Sequence, residues 1–279
     1  EIPTLYDGED LDDVAARCGL SKDAVIERHS AERYSALMLG FSPGFAYMGF
    51  VHDSLRVPRR NTPRTRVPAG SVAIAGPQTG IYPRTLPGGW NLLGRTSVRL
   101  FDSSISAQEG PSRLMPGDRV RFVPTSTLDP LPALPKVRYT GNGVSILESG
   151  ILTTIQDQGR PGLRRVAVPL TGYADPSSAR LANACVGNPE GAPAIEVCGP
   201  GLVLRFEQTA FVALAGAAVS AELERADLAP RTMAMPMNVA VRVRASNTLA
   251  VKRIEGGARA YVAISGLRAP RVLGSASVD

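Results

Sequence analysis

A mainly β fold, made of barrels or sandwiches with a few short helices, is what this 279-residue sequence predicts. Three observations carry that prediction. From residue 34 onward, short apolar or alternating runs recur between Gly and Pro, and no helical period persists through them. Helix-start signals gather at only three places. The length fits roughly two domains at about 150 residues each, and a break rich in Thr, Ser, Pro and Leu falls between the halves. The domains are accordingly drawn at 1–123 and 143–279, joined by a linker at 124–142.

The elements follow in order. Residues 2–6 read as a strand. Asp10 is placed to cap a helix through Leu11, Val14 and Ala15 that stops near Gly19, and Ser21 caps a second with Ala24, Val25 and Ile26 as its apolar members. His29 falls near the end of that helix, where a histidine interacts favourably with the dipole. Strands are expected at 36–39, 71–75, 90–93, 97–101 and 119–123, the last launched by the turn Met115-Pro116-Gly117-Asp118. The second half predicts strands at 144–147, 201–206, 210–215, 240–243, 248–251 and 260–265. One helix interrupts them, capped by Asp175 or Ser177, carrying Ala179, Leu181, Ala182 and Val186, and ended by Gly187.

Composition narrows the function classes. With 44% apolar and 20% charged residues the chain has the makings of folded cores rather than of disorder. No apolar run reaches the length of a membrane span, and the start Glu1-Ile2-Pro3-Thr4 lacks a basic stretch followed by an apolar one, so no membrane association is expected. Three cysteines without C-x-x-C spacing and only two histidines point to neither a disulfide framework nor a metal site, and to a cytoplasmic setting. The net charge of +6 comes from 28 Arg and 3 Lys scattered along the whole length. Scatter argues against a nucleic-acid partner.

Several segments have the residue types for small-molecule work. Residues 41–50 place Gly44, Phe45 and Tyr47 in a glycine- and aromatic-rich loop, which serves either as a ligand wall or as a plug for one end of a barrel. Residues 58–68 carry Arg59, Arg60, Arg64 and Arg66 between prolines. If Arg60, Arg64 and Arg66 converge they bind a carboxylate or phosphate; otherwise they are a solvated face. Gln78, Thr79 and Tyr82 in 76–83, with Trp90 in 87–95, add an amide, a hydroxyl, a phenol and the only Trp. In the second half Thr153, Thr154, Gln156, Asp157, Arg160, Tyr173, Asp175, Asn183, Asn188 and Glu196 form a comparable polar set. Asp157 and Asp175 are candidate bases, or equally cap and turn residues. Phosphate-loop, G-x-S-x-G and histidine-triad patterns are absent, which speaks against a self-sufficient nucleotide hydrolase or serine hydrolase.

These same segments carry a family resemblance. Residues 41–49, 59–76, 78–83 and 87–95 resemble the carboxyl-terminal domain of the 5-oxoprolinase B-type family, also called allophanate hydrolase subunit 1 or the kinase-A inhibitor family. Beyond the linker, Gly150-Ile151-Leu152-Thr153-Thr154-Ile155-Gln156-Asp157-Gln158-Gly159-Arg160-Pro161-Gly162, then Arg180-Leu181-Ala182-Asn183 and Val186-Gly187-Asn188-Pro189, resemble the start of the 5-oxoprolinase C-type family, or allophanate hydrolase subunit 2. Glu196 and Val272-Leu273-Gly274-Ser275 fit the same pattern. Nearly the whole chain is covered, as a B–C fusion. It starts at the central region of the B-type proteins and stops about midway through the C-type ones, which leads us to expect part of a longer fusion. Ser42, Ala46 and Pro77 depart from the family's usual residues.

The resemblance implies cyclophilin-like β-barrels and ATP-dependent opening of 5-oxoproline to glutamate. The ATP would be used by a separate partner of the 5-oxoprolinase A type, with no ATP site in this chain. Self-association is left open. The resemblance also implies a relation to the carboxyltransferase part of urea carboxylase, so a module handling urea or a related amide with carboxybiotin is an alternative, and biotin enters only there. A third reading is a non-enzymatic regulator of a histidine kinase. Under the leading reading His29 becomes a site candidate. Arg64, Gln78 and Thr79 orient a carboxylate or amide carbonyl, and Asp157 or Asp175 accepts the proton.

Overall fold

The computed structural model describes residues 1–106, 108–130, 143–226 and 228–278. The fold is mainly β, with three α-helices among the described residues. Two compact units divide it: Glu1–Pro135 with Gly162–Val168, and Lys136–Pro161 with Pro169–Asp279. Most of the expected linker, 131–142, lies outside the described residues. Its first residues are part of the first unit's structure, because the Thr125 N–H donates to the Thr4 carbonyl.

The first unit runs β1 (Ile2–Thr4), α1 (Leu11–Cys18), α2 (Lys22–Ala31), β2 (Tyr34–Leu39), β3 (Ala46–Gly49), β4 (Arg64–Val67), β5 (Ser71–Ala75), β6 (Gln78–Ile81), β7 (Leu86–Gly88), β8 (Asn91–Arg95), β9 (Arg119–Val120) and β10 (Phe122–Pro124). A six-stranded antiparallel sheet has the order β8-β5-β6-β3-β2-β9, while β1 pairs β10 in parallel and β4 pairs β7 as a separate ribbon. Strand β5 shows how the sheet is held. All five of its residues are buried, and side chains alternate between faces. Val72 and Ile74 join the core that includes Leu11, Val14 and Val25 of the helices, whereas Ala73 and Ala75 join a second cluster with Phe45, Tyr82 and Trp90.

Local signals are obeyed in part. Gly19 ends α1 in the left-handed conformation at φ 64°, and the Ser21 hydroxyl accepts from the Ala24 N–H to cap α2. Asp10 precedes α1 as expected but makes no capping bond. The expected strand at 97–101 is not formed, and the region holds only a single bridge between Phe101 and Ser112. Conversely β3, β4 and β6 lie inside segments read as Gly- or Pro-rich loops. They are strands of four residues, too short for a period to show.

The second unit runs β11 (Val144–Ser149), β12 (Thr153–Gln156), α3 (Pro176–Cys185), β13 (Ala194–Val197), β14 (Leu202–Phe206), β15 (Ala210–Glu224), β16 (Thr232–Ala234), β17 (Val241–Val243) and β18 (Thr248–Ile264). The sheet has the order β11-β14-β18-β13-β12, and β15 pairs β16, β17 and β18. The expected strands at 210–215, 248–251 and 260–265 are pieces of two long ones. Bulges at Gly216/Ala218 and Ser220/Ala221 bend the β15–β18 pair, so β18 meets β14 at one end and β13 at the other, a half-barrel. Asp175, rather than Ser177, caps α3 by accepting from the N–H groups of Ser177 and Ser178. Ala179 and Ala182 seat that helix on Ala213, Ala215, Tyr261 and Ala263. No helix among the described residues is long and apolar enough to cross a membrane.

Candidate functional site

The arginine run resolves into separate roles. Arg60 donates to Asp10 Oδ1 at 2.6 Å, and Arg64 donates to both Asp10 oxygens at 2.8 and 2.9 Å and to Glu9 at 3.1 Å. The Leu92 N–H also donates to Asp10, at 2.7 Å. Burial alone would raise the Asp10 pKa, but the Arg64 hydrogen bond, the Leu92 N–H and the two guanidinium charges outweigh it and hold the carboxyl below its ordinary value. Arg60 and Arg64 are thus engaged by a carboxylate of their own chain. Arg66 is exposed on β4, so of the two alternatives left open for this run, convergence holds for Arg60 and Arg64, on Asp10, and the solvated face for Arg66.

His29 and Thr79 meet, but in the core. His29 is fully buried, with Tyr6 Oη 2.7 Å from Nδ1 and Thr79 Oγ1 2.9 Å from Nε2. Thr79 donates its hydroxyl proton to the Ala73 carbonyl, so Nε2 carries the imidazole proton and Nδ1 accepts from Tyr6. Burial pushes the His29 pKa down to about 3. It is therefore neutral at ordinary pH, which corrects the expectation of a charged residue complementing the helix dipole. Gly44 also has a packing reason: a side chain there would meet Phe101 and the Leu100 carbonyl. Gln78 begins β6 opposite Gly49 and Ala75.

Phe45, Tyr47 and Tyr82 do converge. With Phe41, Trp90, Pro63, Pro87, Gly88, Gly89 and Arg59 they line a cleft of about 240 Å³ within the first unit. The rings pack edge to face: Phe45 meets Phe41, Tyr47, Tyr82 and Trp90 with centroids 4.9 to 5.5 Å apart. The guanidinium of Arg59 lies 5.9 Å from the centroid of the Trp90 ring. Gly88 must be glycine, because a Cβ there would sit 2.1 Å from the Tyr82 hydroxyl. Sequence reasoning gave Arg59 and Phe41 no role of their own. The signal available was the single Trp, which marks where a cation is stacked.

The second unit's polar set builds a scaffold. Asp157 is buried and accepts from the Ser275 and Ser277 hydroxyls and the Ala276 and Gly159 N–H groups at 2.5 to 2.8 Å. Burial works against its charge, but those four donors hold its pKa below the ordinary value. Arg160 donates to the Val272 and Ser277 carbonyls and to Thr171, and Gln156 donates to the Val278 carbonyl. All three tie the 156–160 loop to the segment 272–278. Asn183 is wholly buried and donates to the Ala192 carbonyl. The half-buried Asp175 accepts from the Ser178 hydroxyl, whose bond, with the Ser177 and Ser178 N–H groups, lowers its pKa. Beside it a network that the sequence did not reveal joins Glu196 to Tyr261 Oη at 2.8 Å, the Ala174 N–H at 2.9 Å and Arg259 Nε at 3.2 Å. Arg259 also donates to Cys198. A larger groove of about 500 Å³ runs beside β11 and β12, where Thr153 Oγ1 is buried without a partner. Its sole cationic lining residue is Arg268, and no carboxylate lines it among the described residues.

Residues 1–111 match the family model described as carboxyltransferase domain, subdomain C and D, and residues 166–279 match carboxyltransferase domain, subdomain A and B. The chain therefore carries carboxyltransferase-domain sequence of both kinds, C/D in its first part and A/B in its second. Its first part is 54% identical over 127 residues to the 5-oxoprolinase B protein of Escherichia coli O157:H7, covering 44% of this chain and 57% of that protein. Its second part is 37% identical over 138 residues to the 5-oxoprolinase C protein of Escherichia coli K12, covering 49% of this chain and 42% of that protein. Both relatives are named as subunits of 5-oxoprolinase. The crystal structure of TTHA0988 superimposes on 99% of this chain with a TM-score of 0.87 at 39% identity, using 55% of its own length. This carboxyltransferase-domain chain thus spans about half the length of the proteins it matches. The aromatic cleft falls in the C/D part, and Asp157 lies just before the matched A/B residues.

Proposed function

We propose that the chain is the B–C part of an ATP-dependent 5-oxoprolinase, opening 5-oxoproline to glutamate together with a separate protein that uses the ATP. One observation carries this reading: a single chain joins a segment 54% identical to a 5-oxoprolinase B protein to one 37% identical to a 5-oxoprolinase C protein. The reaction breaks the lactam C–N bond and adds water across it. Such chemistry asks a protein for donors to the carbonyl, an acceptor for the amide N–H and a water-excluding wall. The aromatic cleft offers the wall. Of the two candidate bases, Asp175 is the more exposed, half-buried where Asp157 is buried, although both its oxygens also accept hydrogen bonds, from the Ser177 and Ser178 N–H groups and the Ser178 hydroxyl.

The test mixes the full-length protein with its A-type partner and follows ATP hydrolysis. 5-Oxoproline is expected to stimulate hydrolysis only when both proteins are present. Stimulation by 5-oxoproline with the partner alone contradicts the reading.

Both family models are described as carboxyltransferase domains, which favours a second reading, transfer of a carboxyl group from carboxybiotin to urea or a related amide. It predicts consumption of carboxybiotin in the presence of urea and indifference to 5-oxoproline.

A further inference from the structure

We propose that the aromatic cleft of the first unit is a site for a small planar cyclic amide bearing a carboxylate, and that Arg59 is the residue that reads the carboxylate. The inference rests on the oxoprolinase reading and adds to it the place where the ring sits and the group that selects it.

Charge is the first argument. Of the four arginines in 59–66, Arg60 and Arg64 are paired with Asp10 and Glu9, and Arg66 does not line the cleft. Arg59 lines it and forms no ion pair with any described residue; the group it touches is the face of Trp90. Stacking on an indole orients a guanidinium while leaving its N–H edge free for an anion. A cation fixed at the rim of an apolar cleft is complementary to a carboxylate.

Shape is the second. A volume of about 240 Å³ accepts one small ring with its substituent and is too small for a nucleotide or a biotin with its linker. The lining is aromatic, from Phe45, Tyr47, Tyr82 and Trp90, and their edge-to-face packing makes a rigid wall that suits a small cyclic amide better than a flexible chain. Phe41 stands at the rim, largely exposed and held at φ 66°, a conformation that non-glycine residues rarely adopt and that concentrates at ligand sites.

Hydrogen bonding is the third. Tyr47 is half-buried and lines the cleft, and its hydroxyl has no hydrogen-bond partner among the described residues. The Tyr82 side chain, by contrast, is almost wholly buried, and burial pushes its pKa up while the nearby Trp90 backbone N–H works against that rise. Tyr47 is therefore the free donor for an amide carbonyl, and Arg59 the free donor for the acid. Neutral urea satisfies only the first of these.

Trp90 is the only tryptophan in the chain, so its fluorescence reports on this cleft alone. The experiment titrates the full-length protein, without ATP or partner, with 5-oxoproline and with 2-pyrrolidinone, the same lactam lacking the carboxyl group. A saturable change is expected with 5-oxoproline, and binding about tenfold weaker with 2-pyrrolidinone, the worth of one charge-assisted pair. Arg59→Gln is expected to bring 5-oxoproline down to the level of 2-pyrrolidinone, with Arg59→Lys in between. Arg59 is exposed, so these variants should fold, and unchanged circular dichroism checks that they do. Equal affinity for the two lactams, or a preference that survives Arg59→Gln, overturns the proposal. ATP-dependent turnover with a KM for 5-oxoproline unmoved by Arg59→Gln also overturns it while leaving the oxoprolinase reading intact. Carboxylation of urea with no turnover of 5-oxoproline removes that reading and the proposal with it.

Discussion

His29 shows how a residue chosen for its chemistry can be committed to the core. Its two nitrogens are satisfied by Tyr6 and Thr79, and it packs against the rings of Tyr34 and Phe122, which also touch each other. The unfolded chain protonates a histidine near pH 6.5, whereas the folded one holds His29 neutral down to about pH 3. Between those values the unfolded state binds the extra proton, so stability falls as the pH is lowered through this window and is fully present above it. Urea midpoints measured from about pH 6.5 to about pH 4.5 should fall for the native sequence and fall less steeply for His29→Gln. The depressed carboxylates of Asp10 and Asp157 act lower, losing their contribution as the pH drops below the ordinary carboxylate range of about 4. Asp10→Ala strands Arg60, Arg64 and the Leu92 N–H. It is expected to cost about 2 kcal/mol by urea denaturation, moderated because the Arg60 side chain remains 35% exposed. Spacing in the sequence showed four arginines in one loop but not which would be captured. The captor, Asp10, lies 50 residues earlier, and its own local signal was that of a helix cap.

At the scale of elements, helix punctuation was the most legible feature. Ser21, Gly19 and Asp175 each act where their residue type is favoured. Strand lengths were not legible. The stretch 252–259, with four charged residues and two glycines, reads as a break, yet it continues β18 because its partner β15 bulges to follow the bend. The Gln156-Asp157-Gln158-Gly159-Arg160 motif was recognisable as special, but its role as an anchor depends on Ser275 and Ser277, 118 and 120 residues later, a contact no local pattern encodes. Asp157→Ala should therefore release the segment 275–278. Hydrogen exchange is expected to show lost protection at the Ala276 and Gly159 amides with α3 unchanged, and loss of protection throughout the second unit would mean that Asp157 holds more than the tail. In the first unit, Gly88→Ala forces Tyr82 out of place and should destabilise by about 1–3 kcal/mol while shifting the emission of Trp90. An unshifted spectrum would show that the cleft tolerates the extra carbon.

For the molecule as a whole, two β-rich units on one chain match carboxyltransferase subdomains of two kinds, C/D in the first part and A/B in the second. Joining them fixes their stoichiometry and raises the effective concentration of each for the other. The fold class was visible from texture alone, whereas the family resemblance was legible only in the long motifs at 41–95 and 150–189, and the convergence of Phe45, Tyr47 and Tyr82 on one cleft is a three-dimensional fact that no spacing encodes. We propose lactam opening rather than carboxyl transfer for this chain, a claim that the reaction product tests. The most direct measurement incubates the full-length protein and its A-type partner with isotopically labelled 5-oxoproline, with and without ATP, and separates labelled glutamate from the unreacted ring. Labelled glutamate that requires ATP and both proteins is the predicted result. Intact 5-oxoproline after incubation with folded, associated and ATP-supplied proteins would contradict the claim.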